Sequence, residues 1–299
     1  MMPLNDIRKL IFYIFSPTSL KNYLQNRFGP DSLWRSYVNK CSTAKRTAFL
    51  LSFDCDTELD IKVISSVIDQ LDGIGVKPVL AVPGQLIQSG LEIYRSLADR
   101  GVEFINHGFV QHTHVKLPER IYESSFFYDK LSRKKIIEDI TKGDETLTEF
   151  LGIVPKGFRT PHFGSFQKKS DLKFLWKLLR DMGYEYSSST TPIFGIRNGP
   201  MVIREVVEFP MTGCPSWPIK VLDSWGFRFA PNRDVREQDF INQIQLMVDS
   251  IGKGNKLIIN IYADPSQVYD WPEFFEAIAK LAPYAVESYM ELFESISQS

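Results

Sequence analysis

The chain has 299 residues, 43% of them hydrophobic, and a formal net charge of -1. This length is sufficient for one large domain with a full hydrophobic core or for two small ones. The near-neutral charge argues against nucleic acid as a partner, because nucleic-acid binding draws much of its affinity from a basic surface. The three cysteines, Cys41, Cys55 and Cys214, have neither the spacing of a zinc site nor the number of a disulfide framework, which favours a reducing compartment.

A short apolar run near the start of the chain, Leu10 to Phe15, follows Arg8 and Lys9 as in a signal peptide. It is shorter than the about 7–15 apolar residues of a secretory core and the about 20 of a membrane helix. Two interpretations stay open: a packed helix, which is favoured, and a segment that rests on a membrane surface. We therefore expect residues 1–45 to form a helical extension and the protein to be cytoplasmic, at the inner membrane face under the second interpretation.

From residue 46 to residue 299, short apolar runs alternate with longer amphipathic stretches, which is typical of β/α units in one α/β domain. Strand patterns are followed by helical periodicity, and glycines end several of the helices. Strands are predicted at 47–56, 76–84, 102–108, 204–210 and 256–265, and helices at 59–75, 86–101, 132–151, 170–182, 237–254 and from Trp271.

Polar side chains lie where the predicted strands end, which is where α/β sheets and barrels form their sites. Asp54 and Asp56 end the first strand, and because strand residues two apart share a face, both can point at one metal-sized volume. His107 ends the third strand and Asp264 ends the last. An exposed acidic turn is the alternative interpretation of the Asp54–Asp56 pair taken alone.

The four histidines of the chain are gathered in two short segments. His107, His112 and His114 lie in "NHGFVQHTH", and His162 lies in "FRTPHFG". Imidazole is a common metal ligand and a common acid or base near neutral pH, so the clustering indicates a site. Solvated loop histidines remain the alternative.

Taken in order, these segments resemble the polysaccharide deacetylase family, the nodulation-protein-B homology domain of carbohydrate esterase family 4. The resemblance implies a distorted (β/α) barrel with fewer than eight regular strands. It also implies a Zn²⁺ or another divalent metal held by one Asp and two His. In "SFDCDTE" it assigns Asp54 as the catalytic base and Asp56 as a ligand, and the histidine segment would supply His107 and His112, with His114 in reserve.

The same resemblance assigns three further parts of the site. Arg159 and Pro161 match an Arg-x-Pro segment that orients the base and builds part of the oxyanion site, where the backbone N–H of His162 would contribute. In "LDSWGF", Asp223 and Trp225 match residues that line the substrate pocket. Together these roles imply hydrolysis of an N-acyl amide bond by a water molecule, from which Asp54 takes the proton.

Two departures from the family pattern stand in this sequence. Family members place the paired histidines four apart, whereas His107 and His112 are five apart, and on a regular helix that step turns the second side chain about 140° away. The segment must therefore be looped or carry an inserted residue. At the end of the last strand the family has a histidine that protonates the leaving amine, whereas this chain has Asp264. A buried Asp264 with a raised pKa could donate that proton.

Two hypotheses follow. The first is a metal-dependent hydrolase that removes an acetyl or formyl group from an amino sugar in a polysaccharide or lipid-linked glycan intermediate. The second is a catalytically impaired, carbohydrate-binding relative that retains the barrel. Retention of Asp54, Asp56 and Arg159 together favours the enzyme, and Asp264 favours the alternative.

Overall fold

The computed structural model describes residues 29–231 and 233–297. The predicted apolar segment from Leu10 to Phe15, with its membrane-surface alternative, lies outside the described residues. The strands are β1 (Ala48–Asp54), β2 (Val79–Val82), β3 (Glu103–Asn106), β4 (Thr113–Lys116), β5 (Ile121–Ser124), β6 (Gly157–Phe158), β7 (Tyr186–Ser187), β8 (Val202–Ile203), β9 (Val207–Glu208) and β10 (Ile258–Ala263).

The α-helices in the described part of the chain are α1 (Pro30–Cys41), α2 (Glu58–Asp72), α3 (Gly84–Ser89), α4 (Leu91–Asp99), α5 (Arg133–Leu151), α6 (Lys169–Asp181), α7 (Pro192–Asn198), α8 (Glu237–Gly252), α9 (Pro265–Val268), α10 (Pro272–Ala279) and α11 (Tyr289–Ile296). Single turns occur at Tyr128–Lys130, Trp225–Phe229 and Ala282–Tyr284. Among the described helices, none is long and apolar enough to cross a membrane.

The main sheet has the strand order β10-β1-β2-β3-β6-β7-β9-β8, and β4 and β5 form a separate antiparallel hairpin. Every neighbouring pair of the main sheet is parallel except β8 and β9. Beyond β9, the chain turns back to β10, where the Thr212 N–H donates to the Asn260 carbonyl at 2.8 Å. The predicted distorted (β/α) barrel is confirmed, with seven parallel strands in place of eight.

Both faces of the sheet are buried, which explains why its strands show little alternation in hydrophobicity. In β1, Phe49, Leu51 and Phe53 pack under the outer helices, whereas Ala48 and Leu50 face the barrel interior. Ser52 and Asp54 lie on the same face of β1 as Ala48 and Leu50, nearer the carboxyl end of the strand, and both are polar. The interior is thus apolar at one end and polar at the other.

Local capping fixes how the chain leaves β1. Thr57 and Asp60 form a capping box, in which the Thr57 side chain accepts from the Asp60 N–H and the Asp60 side chain accepts from the Thr57 N–H. The second Asp60 oxygen accepts from the Ser266 N–H at 2.7 Å, so it joins the start of α2 to α9. Burial is the main cause that raises the pKa of Asp60, to about 6.

One predicted helix is divided. The sequence predicts a single helix over 86–101, but the structure has α3 and α4, which meet at Gly90. A Cβ atom at Gly90 would lie 2.7 Å from Ile61 Cγ2, so the close approach of α2 requires glycine there.

The division of the chain into residues 1–45 and 46–299 stays a prediction. Near this boundary, the Tyr37 hydroxyl of α1 donates to the Ile258 carbonyl of β10 at 2.6 Å.

Candidate active site

The carboxyl ends of four parallel strands bring the predicted polar residues to one end of the barrel. Asp54 is the last residue of β1, His107 follows β3, Arg159 follows β6 and Asp264 follows β10. In the strand register Phe53 pairs with Ala263, and Asn106 pairs with Phe158, so each of these side chains starts from the same edge. A cleft of about 340 Å³ opens there, and Asp54, Asp56 and Asp264 are among the residues that line it.

Asp56, His107 and His112 converge on one point beside this cleft. Asp56 Oδ1 lies 3.0 Å from His112 Nε2 and 3.4 Å from His107 Nε2. One ligand atom from each residue lies within 4.8 Å of the others, and all three residues are buried. Such a carboxylate–imidazole–imidazole set suits Zn²⁺ and related divalent ions.

The hydrogen bonds on the far side of each ring decide which nitrogen faces this point. His107 Nδ1 lies 2.8 Å from the Arg159 carbonyl oxygen, and His112 Nδ1 lies 3.2 Å from the Val110 carbonyl oxygen. Because a carbonyl oxygen only accepts, each Nδ1 carries the proton and each Nε2 of a neutral ring presents a lone pair. This backbone support is the usual arrangement behind a metal-binding histidine.

The three inward-facing atoms have no other partner. Asp56 Oδ1, His107 Nε2 and His112 Nε2 are buried without a hydrogen bond among the described residues. Unpaired buried polar atoms are costly, and three acceptors facing one another repel unless a cation lies between them. The residues present therefore fit a divalent cation. In the protein alone, burial acts to lower the pKa of His112, but the Asp56 carboxylate outweighs it and raises that pKa.

The five-residue step between the histidines is made by a loop, as the sequence predicts. Gly108 has φ 77°, and a Cβ atom there would lie 2.2 Å from Asp139 Oδ2. Asp139 of α5 holds the loop by accepting from the Phe109 and Val110 N–H groups at 3.1 and 2.8 Å. His112 ends the loop inside the site, whereas His114 lies on β4 with its side chain exposed.

Asp54 is held against a fully buried guanidinium. Arg159 Nη1 donates to Asp54 Oδ1 at 2.5 Å, and Arg159 Nη2 donates to Ser52 Oγ and to the Tyr289 hydroxyl, both at 2.8 Å. The other Asp54 oxygen, Oδ2, lies 3.8 Å from His107 Nε2. Asp54 thus stands next to the proposed ligands with its orientation fixed by a side chain that cannot turn away.

The opposite wall of the cleft is acidic. Asp223 accepts from the Gly226 N–H at 2.5 Å and from the Tyr262 hydroxyl at 3.3 Å, and burial raises its pKa to about 6. Asp264 immediately precedes α9 as its N-cap residue, and its N–H donates to Ser224 Oγ at 3.0 Å. Burial, followed by repulsion from Asp56 and further carboxylates, raises the pKa of Asp264 well above its usual range.

Pro161 and His162 connect the Arg159 segment to the hairpin. Pro161 is buried, and His162 has φ 46°. His162 Nε2 donates to the carbonyl oxygens of Ser125 and His112, at 2.9 and 3.1 Å, and its ring stacks on Phe127 at 4.6 Å. Burial is the main cause that lowers the pKa of His162, to about 4, so its ring is a neutral support for the loop that carries His112.

The β4–β5 hairpin covers one side of the cleft. Tyr122 lines the cleft and contacts the Trp225 ring, with centroids 5.8 Å apart. Arg120 fastens the hairpin tip, because it donates to the Ser266 carbonyl and, at 2.7 Å, to Asp270 Oδ2. The Arg120 guanidinium also lies 4.7 Å from the centre of the Phe229 ring. Trp225 and the hairpin together form an aromatic wall.

Sequence reasoning missed several residues that build this site. Ser52 and Tyr262 lie two positions before Asp54 and Asp264, and they pair with each other in the β1–β10 register. The period-two rule, applied backward from each aspartate, would have placed both on the interior face. Tyr122 of the hairpin and Phe127, three residues after it, had no such signal, because their place depends on contacts with distant loops.

The polysaccharide deacetylase family model matches residues 42–187 of the chain. This range contains Asp54, Asp56, His107, His112 and Arg159. No curated protein matches the chain. The sequence pattern of this family therefore covers the part of the barrel that carries the proposed base and ligands.

Solved structures with a similar fold include a candidate polysaccharide deacetylase from Mycobacterium smegmatis, with TM-score 0.62 and 19% identity over 84% of this chain and 90% of that one. PuuE allantoinase gives TM-score 0.59 and 11% identity over 84% and 89%. A mutant of BA3943, a CE4 family pseudoenzyme of Bacillus anthracis, has restored enzymatic activity and gives TM-score 0.51 and 14% identity over 84% and 69%. At these identities the likeness establishes the fold alone.

Proposed function

Because this chain has the sequence pattern and the fold of the polysaccharide deacetylases, we propose that it is a metal-dependent hydrolase that removes an N-acyl group from an amino sugar. The observation that carries the proposal is the set of three buried, unpartnered ligand atoms beside the Asp54–Arg159 pair. A purely structural barrel has no need for such a set, because it would be more stable with apolar side chains there.

Asp56, His107 and His112 would hold the cation. When bound, a divalent ion in a three-ligand site supplies Lewis-acid polarisation of the amide carbonyl. Asp54 takes the proton from the attacking water, since it lines the cleft and is held by Arg159. Charge then develops on the carbonyl oxygen, and the His162 N–H, which has no acceptor among residues 29–231 and 233–297, is the proposed backbone donor.

The leaving amine needs a proton, and Asp264 is the proposed source. Asp264 lines the same cleft as Asp54, and its surroundings favour the protonated carboxyl. Ser224 fixes its backbone, and Asp223 and Trp225 form the adjacent wall against which a sugar would rest. Pro161 acts indirectly, by shaping the backbone before His162. The two acids would therefore work in different protonation states, Asp54 as base and Asp264 as acid.

A size limit on the substrate also follows from the cleft. Its volume of about 340 Å³ suits one or two sugar rings, and the hairpin closes one side. We propose an acetylated or formylated amino sugar in a polysaccharide or in a lipid-linked glycan intermediate. A cytoplasmic location, at the inner face of the membrane if the N-terminal segment contacts lipid, remains part of this proposal.

The test is an assay of acyl release from N-acetyl and N-formyl amino sugars, free and oligomeric, with the metal content of the protein measured on the same sample. We expect activity that chelator removes and Zn²⁺ or another divalent ion restores. Absence of acyl release from every substrate, by protein that contains stoichiometric metal, would contradict the proposal.

The second candidate function is carbohydrate binding without catalysis, and Asp264 is the observation that favours it. The family resemblance places an imidazole where this chain has Asp264. BA3943 is described as a CE4 family pseudoenzyme, and one of its mutants as active. An inactive parent protein together with an active Asp264→His variant would favour this second function.

A further inference from the structure

A second cavity lies outside the barrel mouth, between α6 and α7. It measures about 1020 Å³, which is larger than the candidate active-site cleft, and the turn between β8 and β9 closes one end. We call it the α6–α7 groove. The charged residues that line it are Lys169, Lys173, Lys177, Arg197, Arg204 and Glu205.

Three lysines of the groove form a row along α6. Lys169, Lys173 and Lys177 are spaced four apart, so they lie on one helix face, and all three are exposed. None of them has an ion pair or hydrogen bond among the described residues. Like charges at this spacing repel one another, so the row is a concentration of positive charge that nothing on its own helix face offsets.

The one carboxylate of the groove does not neutralise this row. Glu205 is paired with Arg180, which lies on α6 outside the groove lining. Other exposed lysines of the chain do have acidic partners, as Lys116 has Glu123 at 2.6 Å and Lys156 has Glu185 at 3.0 Å. The groove differs from the rest of the described surface in that three unpaired lysines share one helix face, whereas Lys62 and Lys253 are unpaired singly.

The floor of the groove is apolar and rigid. Trp176 Nε1 donates to the buried Glu208 carboxylate at 2.8 Å, which fixes the indole ring. The Phe194 ring lies 5.8 Å from the Trp176 ring, and Leu172 completes the floor. A basic rim above an aromatic floor matches a ligand that has both an anionic and an apolar part.

We propose that the α6–α7 groove binds a phosphate ester whose organic part is apolar or aromatic. Lysine is a common phosphate ligand because its ammonium group acts as a mobile point charge, and several together match the charge of a phosphate or diphosphate. The volume exceeds what inorganic phosphate would fill, which leaves room for the organic part. The ester is either a soluble metabolite or a lipid headgroup.

The groove adjoins the active-site cleft through one short segment. Gln167 lines the groove, and its amide donates to the Phe163 carbonyl at 2.6 Å, while Phe163 lines the cleft. The site proposed here does not depend on the proposed hydrolase activity, because its evidence lies in α6 and α7.

The experiment measures binding of inorganic diphosphate by calorimetry, and binding to phosphatidylcholine vesicles with and without phosphatidic acid. The variant is Lys173→Gln/Lys177→Gln, and the control is Lys62→Gln/Lys253→Gln, which removes the same charge from exposed lysines elsewhere. We expect the groove variant to weaken diphosphate binding about tenfold or more and the control to stay within about twofold of the parent.

The vesicle arm distinguishes the two sources of the ester. Binding to vesicles that requires phosphatidic acid and is lost in the groove variant would support a lipid headgroup, whereas binding of diphosphate without vesicle binding would support a soluble ester. Equal loss in the groove variant and in the control would overturn the proposal, as would the failure of the parent to bind either probe.

Discussion

The two walls of the candidate active site manage charge in opposite ways. On the β1–β6 side, Asp54 is matched by a buried guanidinium, and Asp56 faces two imidazoles at 3.0 and 3.4 Å. On the β10 side, Asp223 and Asp264 are both buried, Asp223 accepts from the Gly226 N–H, and burial raises the pKa of both. Burial acts to raise the pKa of Asp56, but the imidazoles of His112 and His107 outweigh it and lower that pKa, so the two walls favour opposite protonation of Asp56 and of the Asp223–Asp264 pair.

The contrast between the two walls shows how one small cleft can provide a base and an acid at the same pH. Carboxyl groups have nearly the same affinity for protons in water, so their environment must separate them. Arg159 donates to Asp54 Oδ1 at 2.5 Å, whereas desolvation favours the neutral form of Asp264. Asp60 joins the two walls, because it accepts from the N–H of Thr57, which follows Asp56, and from the N–H of Ser266 near Asp264.

The largest effect is expected from Asp54→Asn. The amide cannot take a proton from water, so kcat should fall by about 10³-fold or more. The new amide oxygen could still accept from Arg159, but loss of the charge leaves a buried guanidinium unpaired, and we expect the free energy of unfolding to fall by about 3 kcal/mol. Acyl release, metal content and denaturant unfolding of the same variant check both results. Unchanged turnover with metal present would exclude Asp54 as the base.

Loss of a ligand on the same wall should strongly weaken metal binding. His107→Ala and Asp56→Ala each remove one of three ligands, and we expect the affinity for Zn²⁺ to fall by about 10²-fold or more, measured by metal analysis and competition with a chromophoric chelator. His114→Ala is the matched control, since His114 is exposed on β4 and should keep full affinity. Stoichiometric metal that persists in both ligand variants would show that the site lies elsewhere.

On the acidic wall, Asp264→Asn should lower kcat by about 10²-fold, because an amide is a far weaker proton donor. Because its pKa is raised, Asp264 stays protonated to a higher pH than an ordinary carboxyl group does, so activity of the parent should fall as pH rises through that pKa. Asp264→His should retain the donor, and the neighbouring carboxylates should raise the imidazole pKa and move the optimum upward. Measuring pH–rate profiles of the parent, Asp264→Asn and Asp264→His proteins would check these expectations.

A parent protein that is fully active and indifferent to Asp264→Asn would contradict the assigned role of this acid. It would mean that water or another group protonates the amine, and the contrast between the two walls would then have no catalytic meaning.

The smallest effect is expected at the hairpin. Arg120→Ala removes the contacts to Asp270 and to the Phe229 ring, so the aromatic wall should loosen. We expect KM to rise about 3–10-fold with little change in kcat. Lys116→Ala is the control, because Lys116 pairs with Glu123 within the same hairpin and is exposed. A fall in kcat without a change in KM would assign the hairpin to the chemical step instead.

Much of the fold and part of the site were predictable from the sequence, because strand patterns and the residues that follow them are local. Asp54, His107, Arg159 and Asp264 each lie at a strand end, so parallel topology alone brings them to one edge. Asp223 and Trp225 lie in a loop before α8, and only the family resemblance pointed to them. Their roles, and that of Pro161, stay predictions.

By itself, the sequence determined the α/β alternation, the polar strand ends and the order of the motifs, since these depend on periodicity along one stretch of chain. The tertiary structure brings His112, and not His114, beside Asp56 and His107, because the turn at Gly108 is held by Asp139 from α5, which is distant along the chain. It also raises the pKa of Asp264, since the desolvation and charge repulsion come from residues on β1, on α2 and in loops that no local pattern connects. Such contacts join residues that are far apart in sequence, so no local sequence pattern predicts them and they form only when the folded chain packs.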